Sequence, residues 1–249
     1  MPTKRTLLLI SICGLGLLTA LACGGGGETD DGASTEGATV EGSAPANGTP
    51  ADGAAAAPPT DVGQVYKYTL AEISPSGDHL PPLDGGRIEF APPKGWHVGS
   101  RQSGLVCWFH EFKDPNLLPQ IRVNAEDVPE GAPQNATVET AKAYAEWVES
   151  HVREQIGDEK LLEPVVPLVL GENAFGRYVR AGKYKSTLAE RQILVTTVDG
   201  RVYTIELIVF ENGLKDSRKA VLDGYSVGGN MKASEGSGVG GFELPGESE

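Results

Sequence analysis

The sequence predicts an α+β domain built on a single antiparallel β-sheet covered by helices. Three observations lead there. Short runs alternate apolar and polar residues at a period of two on both sides of a central segment. That segment, 135–157, instead repeats its apolar residues at helical spacing. Finally, Asp199-Gly200 separates two long apolar runs, a strong short-range hairpin signal.

Taken in order, "QVYKYTL" at 64–70 sets Tyr66, Tyr68 and Leu70 against Val65, Lys67 and Thr69, the pattern of a half-buried strand. "GRIEFAPPKGWHVG", 86–99, gives a short strand, a Pro-Pro-Lys-Gly turn and Trp96. The runs 104–112 and 119–128 are the next two strands, parted by the turn chemistry of Lys113-Asp114-Pro115-Asn116. Within 135–157, Ala141, Tyr144, Ala145, Val148, Val152 and Ile156 share one helix face, with Trp147 and His151 widening its flank. Thr137 is the expected N-cap and Gly157 the expected C′ residue.

Further strands follow at Leu168–Leu170 and Arg177–Tyr184, and then the hairpin. A two-residue loop opposes Leu194 to Ile205, Val195 to Thr204 and Thr196 to Tyr203. Apolar residues occupy both faces of these strands, as in a sheet covered on each side. Glu206 is the exception; this register opposes it to Ile193 and sets it diagonal to Arg191, which predicts an Arg191–Glu206 ion pair. Residues 212–227 read as a closing helix with Leu214, Ala220, Val221 and Leu222 inward.

The flanks do not read as globular. Residues 1–22 join a basic start, Lys4 and Arg5, to the apolar run "TLLLISICGLGLLTALA", the plan of a secretory signal. Ala20-Leu21-Ala22-Cys23 resembles a bacterial lipobox, which implies cleavage before Cys23 and diacylation of its thiol. A thioether lipid with an N-acyl chain suffices for stable attachment to a membrane. Gly24 is not the aspartate that retains such proteins in an inner membrane, so an outer membrane is the expected destination. Residues 23–60 then read as a disordered Gly/Ala/Pro-rich tether, roughly 35 Å from end to end. Residues 229–249 read as a disordered acidic tail. Gly236, Gly238 and Gly241 match G-x-G-x-x-G, but without a preceding strand or a following helix the match carries no phosphate-binding mechanism. The folded domain is therefore expected over 61–228.

Within it, "RIEFAPPKGWHV", a long helix, the Asp-Gly hairpin, "GRVYTIEL" and a closing helix together resemble the Mog1/PsbP-like α/β/α sandwich, a group that includes many bacterial lipoproteins. The resemblance covers roughly residues 62–228. It implies a binding or assembly module without a catalytic centre, and it names no partner.

No G-x-S-x-G elbow, H-E-x-x-H pair, Walker A loop or C-x-x-C pair is present. Once Cys13 leaves with the signal and Cys23 carries lipid, Cys107 is the one remaining thiol, read as a buried small hydrophobe. A site joining His97, His110 and Glu111 would need the fold to bring together histidines on separate elements, and no metal or cofactor is expected. Trp96, His97, Trp108 and His110 are the candidate ligand-facing residues. The formal charge of −13 argues against nucleic acid and anionic lipid surfaces as partners. The expectation is a membrane-anchored envelope lipoprotein, non-enzymatic, displaying a binding or assembly module to an envelope protein. An envelope hydrolase or small-ligand-binding protein with a pocket in the domain is the alternative.

Overall fold

A computed structural model describes residues 59–157 and 160–234. The signal segment, Cys23, the tether as far as residue 58 and the tail beyond Ser234 lie outside the described residues. The elements are β1 (Tyr66–Tyr68), β2 (Ile88–Glu89), β3 (His97–Val98), β4 (Cys107–His110), β5 (Gln120–Asp127), α1 (Ala141–Ile156), β6 (Glu163–Leu170), β7 (Asn173–Tyr184), β8 (Thr187–Val198), β9 (Arg201–Phe210), α2 (Gly213–Asp216), α3 (Arg218–Gly229) and β10 (Lys232–Ala233). Eight strands form one sheet in the order β1-β6-β7-β8-β9-β5-β4-β3.

The single antiparallel sheet expected from the sequence is not what forms. The large sheet is mixed, because β1 runs parallel to β6 with Tyr66 beside Leu168. A second, two-stranded sheet pairs β10 with β2, Ala233 facing Ile88. Helical cover is also sparse. Alternation along a strand specifies its faces and not the direction of its neighbour, so a three-residue edge strand carries no sign of its orientation.

The β8–β9 hairpin has the expected register, Leu194 opposite Ile205 and Thr196 opposite Tyr203. Arg191 Nη1 donates to Glu206 Oε1 at 2.8 Å. The main core lies on the face beneath α3, where Phe175, Leu194, Ile205 and Leu207 meet Tyr225 and Val227. On the opposite face Tyr144, Ala145, Val148 and Val152 of α1 pack on Val165, Tyr178, Ile193 and Val195. Gly176 sits directly under α1: a Cβ there would lie 2.7 Å from Val148 Cβ.

Two local readings shift. Thr140, not Thr137, is the N-cap of α1, and the two hydroxyls lie 3.0 Å apart. The closing helix breaks at Ser217, which is extended and whose Oγ accepts from Ala220 N at 3.2 Å, so it restarts the chain as α3. The fold continues past residue 228, since α3 ends at Gly229 and β10 follows. Asp84 fastens the loop before β2 to the sheet: its carboxylate accepts from Arg201 Nε at 3.1 Å, Arg201 Nη2 at 3.2 Å and the Tyr203 hydroxyl at 2.8 Å.

Candidate functional site

A cavity of about 460 Å³ opens between β6–β8 and the α2–α3 pair. Inward-facing residues of β7 build its floor. The alternation that points Phe175 and Val179 into the core points Arg177 there too, and the residue is 1% exposed. Its Nη1 donates to the Glu163 carboxylate and, at 3.3 Å, to the Pro59 carbonyl; Nη2 donates to Gln192 Oε1 at 3.4 Å. Nε has no partner.

The roof exists because α3 comes close along a small-residue side. A Cβ on Gly224 would lie 2.8 Å from Gln192 Nε2, and one on Gly228 would lie 3.0 Å from the Phe175 ring. Arg218, Val221 and Leu222 of α3, with Leu214 of α2, line the space beside them. Leu162 and Val179 complete an apolar wall. Glu190 at the margin accepts from Leu214 N at 3.1 Å and so positions α2. Lys215 and Arg218 stand at the rim, and no described carboxylate pairs with either.

Two phenols border the cavity. The Tyr68 and Tyr225 rings lie 5.3 Å apart, tilted by 55°. Burial pushes the Tyr225 hydroxyl up to about 12, with the neighbouring Arg177 charge acting the other way. Burial raises Tyr68 as well. Both therefore stay protonated at neutral pH. No histidine, cysteine or serine among the described residues lines the cavity. The chemistry on offer is enclosure of apolar surface beside positive charge.

The four residues singled out from the sequence lie elsewhere. Trp96, 7% exposed, belongs to the main core. Trp108 is buried over Gly99 and donates from Nε1 to the Ser100 carbonyl at 2.6 Å. His110 is buried, and its Nδ1–H donates to the Phe112 carbonyl at 2.6 Å. His97 is exposed and pairs across the β3–β4 ladder with His110, ring centroids 5.4 Å apart. Glu111 does not join them; it accepts from Lys219 at 3.2 Å. Among the described residues no group of three or more His, Cys, Asp or Glu is placed to hold a metal. Cys107 is buried on β4, and burial raises its thiol pKa well above the ordinary value. Sequence reasoning missed Arg177, although the signal was there: a charge at an apolar-facing position between Phe175 and Val179.

No protein-family model matches the chain, and no curated protein matches it. Among solved structures, it is similar to a protein of Bacteroides thetaiotaomicron, with 13% identity and a TM-score of 0.39 over 63% of this chain and 48% of that one. The chain thus spans about half the length of that protein. It is also similar to the PsbP of the cyanobacterium Synechocystis (CyanoP), with 17% identity and a TM-score of 0.35 over 62% of this chain and 94% of that one.

Proposed function

We propose that this chain is a non-catalytic binding module, held at a bacterial envelope membrane by lipid on Cys23 and spaced from it by residues 24–60, and that it takes a small amphipathic anion in the cavity above Arg177. One observation carries the binding reading: apolar walls formed by Leu162, Val179, Leu214, Val221 and Leu222 enclose about 460 Å³ beside Lys215 and Arg218, neither of which pairs with a described carboxylate. The volume falls within the roughly 300–1,000 Å³ of small-molecule sites. A ligand with an aliphatic body and an anionic head buries its chain against the walls and sets its charge between Lys215 and Arg218.

The test is fluorescence titration with a dansyl-labelled aliphatic carboxylate. Binding is expected, with competition by unlabelled fatty carboxylates and none by a trialkylammonium of equal chain length. Val221→Trp, which fills the cavity, is expected to weaken the probe by at least about tenfold, or roughly 1.4 kcal/mol. Equal binding by that variant would place the probe elsewhere and end this reading.

Anchorage is tested separately. Cys23→Ser is expected to move the protein from the membrane pellet to the soluble fraction and to remove the mass added by acylation. A variant that still pellets refutes the lipid anchor and leaves the cavity argument standing.

A further inference from the structure

Helix α1 packs on β6, β7 and part of β8 at one end of its sheet face, and Leu118 of the β4–β5 connection closes over Ala189 and Ile208 at the other. Across the rest of that face, neighbouring strands present Arg122 from β5, Glu206 from β9, Arg191 from β8 and Arg180 from β7. Two of the three guanidinium groups, those of Arg180 and Arg191, share one carboxylate. Arg180 and Arg191 stand directly opposite in the ladder, a like-charge pairing that needs an anion beside it. Glu206 supplies that anion, 2.8 Å from Arg191 Nη1 and 3.5 Å from Arg180 Nη2.

Arg122 is left with neutral partners, Gln120 Oε1 at 3.2 Å and the Tyr184 ring at 5.7 Å. Lys185 approaches the same ring, 5.5 Å from its centroid. The Nε atoms of both Arg122 and Arg180 are buried without a hydrogen-bond partner among the described residues. Arg122, Arg180 and Arg191 thus set three positive charges around the single carboxylate of Glu206, in a chain whose formal charge is −13.

We propose that the patch of this sheet face left between α1 and the β4–β5 connection docks an acidic segment of a protein partner. Guanidinium groups fit planar carboxylates with paired hydrogen bonds. The cationic residues lie on a sheet surface outside the cavity described above, which suits an extended chain better than an enclosed small molecule. Spacing agrees: strands about 4.8 Å apart put Arg122 and Arg191 roughly 10 Å from each other and Arg180 one strand further. An extended peptide presents same-side residues every 6.6–7 Å or so, which brings successive carboxylates within reach of these long side chains. The inference rests on the binding-module reading, but its surface is separate, so its failure leaves the cavity reading untouched and the reverse also holds.

The experiment is fluorescence anisotropy with the full chain and a labelled peptide of about a dozen residues alternating Glu and Ser, read at low and at physiological salt. Binding that weakens with salt is expected. Arg122→Gln and Arg180→Gln should each weaken it about tenfold. Glu206→Gln, which removes the competing carboxylate, should tighten it by a similar factor. Thermal melting accompanies each variant, and Arg122→Gln remains informative if Glu206→Gln fails to fold, because Arg122 makes no ion pair among the described residues. Equal affinity for a Gln/Ser peptide, indifference to Arg122→Gln, or capture of heparin without the acidic peptide would each overturn the proposal.

Discussion

Arg177→Met is expected to lower the unfolding free energy by about 3 kcal/mol, the cost of removing one member of a buried ion pair. The substitution keeps much of the side-chain volume but strips Glu163 of its cation and leaves Gln192 Oε1 and the Pro59 carbonyl without donors. For a domain of this size the loss corresponds to roughly 6–12 °C in Tm. Arg177→Met combined with Glu163→Leu removes both charges and should recover most of the loss, because an apolar pair of similar volume replaces a desolvated ionic one. Thermal and urea melts of the two single variants and the double variant measure the coupling. Additivity of the single effects would show that the pair contributes nothing as a pair.

Gly176→Ala is the second large effect, at about 2 kcal/mol. The added Cβ would lie 2.7 Å from Val148 Cβ, on a helix held to the sheet by packing around that contact. Neither backbone can yield without disturbing a neighbour: Gly176 is hydrogen-bonded into β7 between β6 and β8, and Val148 is 0% exposed in the middle of α1. The clash is with Val148 Cβ as well as its two methyls, so only removal of Cβ relieves it, and Gly176→Ala with Val148→Gly is expected to be more stable than the sum of the single effects predicts. Urea melts of the four proteins test this, and simple additivity would mean that the helix shifts freely on the sheet.

Features governed by near neighbours were legible in the sequence. Asp199-Gly200 sets the hairpin register, and that register alone is enough to bring Glu206 beside Arg191. The periodicity of α1 names its buried residues, Ala141, Tyr144, Ala145, Val148 and Val152. Long-range pairing was not legible. Nothing in "VYKY" states that its partner is β6 or that the two run parallel, and nothing before Lys232 announces that β10 will find β2. The candidate site was missed for a related reason. The aromatic and imidazole side chains of Trp96, Trp108 and His110 draw attention by their chemistry, yet packing absorbs them. Arg177 instead looks like one more strand residue until the fold sets Tyr68, Tyr225 and α2 around it.

The sheet order also sets a timetable for assembly. Strands β6 to β9 are consecutive in the chain and adjacent in the sheet, so each closes on its predecessor over a short loop at small entropic cost. Strand β1 is made first by the ribosome yet must wait for β6, beyond β5 and α1 in the chain, before it has an edge to join. The four-stranded meander is thus the unit whose amides should resist hydrogen exchange longest, and β1 the strand that opens first. Because Pro59 precedes that strand, Tyr68 ends it and both border the cavity, opening β1 exposes the Arg177 floor while the meander beneath it stays intact.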